Sequence, residues 1–210
     1  MLIDVGGKPI IEWQVGWLRS HGVDTVVVLA GYLRDKIVNF LGSGDRLGIN
    51  VVYVVEDEPL GTGGALKNAE PVLKDDVFIA VNGDIITNIP VSKVVKELRE
   101  SEALAAMALV PLRSPYGVVE VDEKGFVRSF KEKPVLEEYL VNAGVYVMKP
   151  EAFKYIPKKG DLEKTTFPKL ALEGKLKGYV FRGVYWRSID TVKDIEEASK
   201  ELREGLPGVV

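Results

Sequence analysis

The sequence predicts a single α/β domain built on a mixed, mainly parallel central sheet, and three observations predict it. Apolar runs rich in Val and Ile alternate with amphipathic segments of helical spacing through the first half of the chain. The runs at 23–30, 50–55 and 77–81 lack polar alternation, as expected of strands covered on both faces. From residue 118 the pattern changes to two short runs around a Gly turn, which reads as an antiparallel hairpin inserted in the parallel fold.

Residues 8–20 carry Ile10, Ile11, Val15 and Leu18 at helical spacing, with Pro9 suited to the first turn. Residues 23–30 read as a strand ending at Gly31, and Leu33, Ile37, Phe40 and Leu41 mark a helix stopped by Gly42 and Gly44. The strand 50–55 leads into a Gly-rich segment, 58–66, and a helix to about Leu73. The strand that opens at Val77 closes on Asn82-Gly83-Asp84. A helix at 91–101 turns Val94, Val95 and Leu98 inward, and 103–112 returns as a strand. Strands 118–122 and 126–130 flank Glu123-Lys124-Gly125, followed by a strand at 140–147, helical stretches at 150–156 and 162–173, a short strand at 178–181 and a closing helix at 191–203. Strand-helix alternation implies right-handed crossovers. No internal repeat, linker or low-complexity segment divides residues 1–210, so one domain is expected to cover them all.

At 210 residues the chain is long enough to bury roughly 70–75% of its unfolded surface. Its 28 Lys plus Arg against 31 Asp plus Glu give a net charge of -3, which offers no basic footprint for nucleic acid. The absence of Cys excludes disulfides, thiolate metal sites and a Cys nucleophile, and the single His21 argues against a His-based triad or zinc centre. Chemistry must therefore rest on carboxylates, lysines and backbone. No apolar run has the length of a membrane span and no signal-peptide pattern follows Met1, so a soluble, cytoplasmic protein is expected. Lack of Cys, one Gln and abundant charge fit a thermophile.

Ligands in open α/β sheets bind outside the carboxyl ends of the strands. Asn82, Gly83 and Asp84 fall at such an end, where Gly83 permits close backbone approach and Asp84 can hold a hard cation such as Mg2+; the same tripeptide is also ordinary turn chemistry. The Gly-rich segment, with Gly61, Thr62, Gly63 and Gly64, is either a tight strand-to-helix turn or a ligand loop whose N–H groups face an anion or a polar ligand edge. Glu132 and Lys133, with Asn142 and Gly144, together suit a polyol phosphate, the carboxylate and amide bonding hydroxyls and the lysine meeting the phosphate; singly they read as a solvated strand end and a turn. Asp190 is either a metal carboxylate or, with Thr191, the cap of the last helix.

Gly6-Gly7-Lys8-Pro9-Ile10, the segment 58–65, Asn82-Gly83-Asp84, Tyr116-Gly117 through Glu120, Glu132-Lys133-Pro134, Asn142-Ala143-Gly144 and Trp186 with the helix after it stand in the order of a known family. Over essentially its whole length the chain resembles the sugar-phosphate nucleotidyltransferases, in the branch of mannose-1-phosphate guanylyltransferase and glucose-1-phosphate thymidylyl- or uridylyltransferase. The resemblance implies a Rossmann-like three-layer fold. It implies attack of a sugar 1-phosphate on the α-phosphorus of a nucleoside triphosphate, with Mg2+ held by Asp84. It also implies that the Gly-rich loop faces the base and that Gly117, Glu132, Lys133, Asn142 and Gly144 hold the sugar phosphate. No covalent protein nucleophile is required, only in-line positioning and charge neutralisation by Mg2+ and Lys133.

Two departures from the family pattern stand out. The N-terminal strand, the glycine-rich loop with an arginine and the Pro-Lys-Pro stretch that grip the triphosphate do not precede Gly6-Gly7-Lys8-Pro9, so the domain is expected to be truncated by on the order of 20 residues, a strand plus a loop, with its first central strand absent. At Ser188 many relatives carry the second metal-binding Asp; Asp190, two residues on, points the same way in an extended segment and is the expected substitute. Glu56 stands where relatives reading uracil or thymine carry Gln. A carboxylate accepts two hydrogen bonds and so matches guanine's N1–H and N2–H2, favouring GTP and, by resemblance, mannose 1-phosphate; an acidic solvated turn is the plain alternative. A UTP- or dTTP-dependent glucose-1-phosphate enzyme, a non-catalytic sugar-phosphate or nucleotide-sugar binding protein and a partner of a full-length paralogue remain as rivals, and the sequence leaves room for a homo-oligomer.

Overall fold

The computed structural model describes residues 1–205. Its strands, in chain order, are β1 (Asp4–Val5), β2 (Lys8–Pro9), β3 (Thr25–Ala30), β4 (Asn50–Val55), β5 (Phe78–Val81), β6 (Ile85–Thr87), β7 (Ala105–Arg113), β8 (Val118–Val121), β9 (Val127–Lys131), β10 (Val135–Met148), β11 (Leu176–Val180) and β12 (Trp186–Ser188). The helices are α1 (Ile10–Ser20), α2 (Arg34–Leu41), α3 (Gly61–Asn68), α4 (Val91–Arg99), α5 (Thr166–Leu172) and α6 (Val192–Arg203), with 3-10 turns at Asp45–Leu47 and Pro150–Tyr155.

The principal sheet has the order β11-β7-β10-β5. β11 runs parallel to β7, and β10 is antiparallel to both β7 and β5, so three of the four strands point one way and β10 opposes them. Its two-residue alternation feeds two cores. Ala106, Ala108, Val110, Val145 and Val147 meet Val91, Val94 and Leu98 of α4 and Trp17 of α1 on one face. Ala105, Tyr146, Met148 and Phe78 meet Leu66 of α3, Phe153 of the 3-10 turn and Phe167 and Leu170 of α5 on the other. Both faces are covered, which is why these runs carry no polar alternation. Burying each larger side chain contributes roughly 1.5–3 kcal/mol, and the result is a three-layer, Rossmann-like arrangement.

The first half departs from a continuous parallel sheet. β3 and β4 pair in parallel as a separate two-stranded sheet, packed by Ile11 and Val15 of α1 and Leu41 of α2. Among the described residues β3 has no strand partner but β4, and β5 none but β10. Met1 and Leu2 pack against the core beside Val28 and Ala30. Several expected boundaries shift for local reasons. The first helix begins at Ile10, because Lys8 and Pro9 pair with Val5 and Asp4 as a tight ribbon. The helix expected to reach about Leu73 stops at Asn68, three residues before the breaker Pro71. The stretch 162–173 is helical only over Thr166–Leu172, and the Leu162 N–H before it is held by the Thr62 hydroxyl at 2.9 Å.

The inserted hairpin forms as expected from β8 and β9. Its turn is held by Asp122 Oδ1, which accepts from the Lys124 and Phe126 N–H groups, both at 2.9 Å, with Gly125 at φ +81°. β10 begins five residues before the expected 140 and runs 14 residues; its first half is largely exposed and its second half buried. Two irregularities in its register with β7 bend it, one between Leu136 and Leu140 and one between Asn142 and Tyr146. β6 and β12, each three residues, pair antiparallel and set Ser188 opposite Ile85.

Candidate active site

Asn82, Gly83 and Asp84 form the turn between β5 and β6, and three elements hold it. Gln14, buried on α1, donates from Nε2 to the carbonyls of Asn82 at 2.8 Å and Ile85 at 2.9 Å. The Asn82 N–H donates to the Gly144 carbonyl at 2.9 Å, across from the β10 bulge. Gly144 sits at φ +67°, and a Cβ there would come within 3.0 Å of both Asn82 Nδ2 and Ile85 Cγ1. Glycine is thus required twice over, by the left-handed backbone and by the close approach.

Asp84 and Asp190 face a common locus. The Ile189 N–H donates to the Asp84 carbonyl at 2.9 Å, tying the two segments together. Asp84 is half-buried and its Oδ1 is buried without a hydrogen-bond partner. Burial raises the Asp84 pKa above the usual carboxylate value; repulsion from Asp190 adds to the rise, while a backbone hydrogen bond and the nearby Met1 α-amino group oppose it. Burial lowers the pKa of that amino group, opposed by Asp84, and a Cβ on Gly83 would meet Met1 Cγ at 2.8 Å. The Ser188 hydroxyl donates to Asp190 Oδ2 at 2.8 Å. Capping of α6 falls to Thr191, which forms a reciprocal box with Asp194, so the Asp190 side chain is not needed there. An orphaned buried carboxylate oxygen beside a second carboxylate fits a divalent cation. Among the described residues no cluster of three or more His, Cys, Asp or Glu forms a metal cage, so further ligands would have to come from water or phosphate oxygens.

The groups assigned to a sugar phosphate lie on the hairpin side. A Cβ at Gly117 would fall 2.8 Å from Phe130 Cζ and 3.0 Å from Glu132 Oε2, so Gly117 and Glu132 are in close apposition. Lys133 adopts a left-handed backbone, φ +45°, unusual for a residue with a side chain. A hydrogen bond with Lys193 of α6, and the like charge it brings, lower the Lys133 pKa; the same contact and Glu197 raise that of Lys193. Asn142 donates from Nδ2 to the Tyr146 hydroxyl at 2.8 Å and accepts the Gly144 N–H at 2.9 Å.

The Gly-rich loop is not an anion-binding helix end. The N–H groups of Gly63 and Gly64 both donate to the Gly160 carbonyl, at 2.9 and 3.1 Å, and that of Thr62 reaches the Asp161 carboxylate. Gly61, at φ +78°, and Gly63 leave room for this crossing, since a Cβ on either would lie 2.8 Å from Gly160. The Thr62 hydroxyl donates to Glu163 Oε2 at 2.8 Å. Glu56 Oε2 accepts the Leu60 N–H at 3.3 Å, and its Oε1 lies where a Cβ on Gly31 would come within 2.5 Å, so Gly31 at the end of β3 admits this carboxylate. Cavities of ≈ 290 and ≈ 440 Å³ exist, but none of these groups lines them; the first is bounded by His21, Ser92 and Lys96, the second by Asp76, Arg99 and Lys149.

Sequence reasoning missed Gln14, Tyr146, Glu163 and Lys193. The isolated Gln14 on the apolar face of an amphipathic helix was the one available signal, since a buried amide must find partners. Tyr146 sits in an apolar run and reads as core, which it also is.

The chain belongs to the nucleotidyl transferase family, whose model matches residues 1–205. Among its relatives it is 32% identical over 234 aligned residues to a UTP–glucose-1-phosphate uridylyltransferase of Synechocystis, covering 99% of this chain and 60% of that protein. It is 34% identical over 204 residues to a mannose-1-phosphate guanyltransferase of Yarrowia lipolytica, covering 92% and 55%. It therefore spans somewhat over half the length of these relatives. The crystal structure of HddC from Yersinia pseudotuberculosis superposes with a TM-score of 0.76 at 26% identity, over 96% of this chain and 88% of that one. Among the described residues no helix is long and apolar enough to cross a membrane.

Proposed function

We propose that this chain carries a sugar-1-phosphate nucleotidyltransferase site. A phosphate oxygen of the sugar 1-phosphate bonds to the α-phosphorus of a nucleoside triphosphate, the bond from that phosphorus to the bridging oxygen of the β-phosphate breaks, and pyrophosphate leaves with that oxygen. The observation that carries this reading is the partnerless Asp84 oxygen beside Asp190, next to the Asn82-Gly144-Asn142 contacts. Mg2+ bound by Asp84 and Asp190 would supply charge neutralisation at the phosphates. Glu132 and Asn142 bond the sugar hydroxyls, Gly117 and Gly144 let the ligand approach the backbone, and Lys133 meets the sugar phosphate. The base lies against Gly61, Thr62 and Gly63, with Asn82 and Gly83 lining the phosphate side.

Glu56 supports GTP as the nucleotide, because among the described residues its Oε1 makes no hydrogen bond and its Oε2 is engaged only by Leu60 N–H at 3.3 Å; mannose 1-phosphate is the matching sugar. The free edges of β3 and β5 support a domain completed by one more strand and the triphosphate-gripping loop after it. The test is pyrophosphate release from mannose 1-phosphate with GTP, UTP or dTTP in the presence of Mg2+. Release fastest with GTP is expected. Faster turnover with UTP or dTTP would overturn the choice of base, and tight binding of the sugar phosphate without turnover, even in a longer chain, would favour the non-catalytic binding protein.

A further inference from the structure

One hydrogen-bonded path joins the two halves of the site, running from the exposed Thr62 and Glu163 to the buried Tyr146. The Thr62 hydroxyl, on the Gly-rich loop, donates to Glu163 Oε2 at 2.8 Å. The other oxygen of the same carboxylate accepts from the Tyr146 hydroxyl at 3.1 Å. That hydroxyl accepts from Asn142 Nδ2 at 2.8 Å, and the Asn82 side chain reaches it as well. Asn142 Oδ1 in turn accepts the Gly144 N–H at 2.9 Å, which fixes which way its amide points. Tyr146 is 1% exposed, and its ring lies 4.7 Å from that of Phe167, so the phenol is packed on the core side. With the Asn142 amide donating to the hydroxyl oxygen and a carboxylate that can only accept on the other side, its one proton is directed at Glu163. Burial holds the phenol protonated, so this polarity does not change near neutral pH.

We propose that Tyr146 and Glu163 are positioning residues that couple Asn142, on the sugar-phosphate side, to Thr62 on the nucleotide side. Ligand engaging Asn142 restrains the Tyr146 hydroxyl, which holds Glu163, and through Thr62 the crossing of Gly63 and Gly64 by Gly160, in place. By linkage, ligand on the Gly-rich loop favours the sugar side equally. The inference rests on the reading of Asn142 as part of a sugar-phosphate site.

The experiment uses the full chain with mannose 1-phosphate alone as probe. Calorimetry reads its binding, and amide exchange by mass spectrometry reads the peptide covering residues 61–64, whose Gly63 and Gly64 N–H groups exchange only when the crossing opens. Sugar phosphate should slow exchange there by about 5-fold or more, the lower end of ordinary site-site coupling. In Tyr146→Phe, which keeps the ring packing, and in Glu163→Gln, which keeps the side chain's size and removes its charge, binding should persist and the slowing should fall to about 2-fold or less. Binding to the wild type without slowing, or slowing retained in both variants, overturns the coupling while leaving the sugar-phosphate reading standing. No binding to the wild type overturns that reading and the coupling with it.

Discussion

The turn that carries Asp84 is held from below by Gln14, and replacing that residue with Met separates the hydrogen bonds from the packing. Met has a similar reach and fills irregular space without donors. Two bonds would be lost, to the carbonyls of Asn82 and Ile85 at 2.8 and 2.9 Å, from a side chain only 6% exposed. Each is worth roughly 0.5–1.5 kcal/mol net, so the loss is about 1–3 kcal/mol. The Asn82 carbonyl keeps the Ile85 N–H at 3.2 Å, which draws the expectation toward the lower half. For a domain of this size that corresponds to a melting temperature lowered by roughly 2–12 °C. Urea denaturation should show a lower midpoint at unchanged slope. A Gln14→Met protein melting within about 1 °C of wild type would refute the assignment of Gln14 as the support of this turn.

Asp84→Asn should abolish stabilisation by Mg2+, which at ten times Kd amounts to about 1.4 kcal/mol in wild type and is read as a melting shift. Because burial raises the Asp84 pKa in the folded state, the ionised carboxylate costs stability above its folded pKa, and that cost vanishes as pH falls below the unfolded value; without cation, the advantage of Asp84→Asn should therefore grow as pH rises from about 4, and a pH-independent difference would count against the burial argument. Gly144→Ala, at φ +67° with Asn82 Nδ2 3.0 Å from the new Cβ, should cost roughly 1–2 kcal/mol in urea melts for the backbone alone and weaken sugar-phosphate binding as well. A longer chain that supplies a strand to the free edges of β3 and β5 should melt at a higher temperature, and no change would argue that those edges need no partner.

Much of the fold was legible because strands covered on both faces announce themselves. The runs that became β5 and β7 are unbroken by polar residues, β3 and β4 show as Val-rich runs although Val52 and Val55 of β4 stay exposed, and the hairpin of β8 and β9 carries its own Gly turn. β6 and β12 escaped notice because three residues carry no period, and they exist only as each other's partner. The first half of β10 leaves no strand signal before 140, because Glu137 and Glu138 interrupt an exposed segment. At the site, Asn82-Gly83-Asp84 could be found from its place at a strand end. The crossing of Gly63 and Gly64 by Gly160 could not, since nothing local marks a carbonyl that lies about 100 residues away in sequence.

β10 has a consequence for how such a protein changes over generations. Its buried half, packed into both cores, tolerates little substitution, whereas its exposed half and the adjoining hairpin carry side chains that few other residues depend on. Exposed substitutions of that kind ordinarily shift stability by less than about 0.5 kcal/mol. Sequence change can thus accumulate along one end of a strand whose other end is anchored.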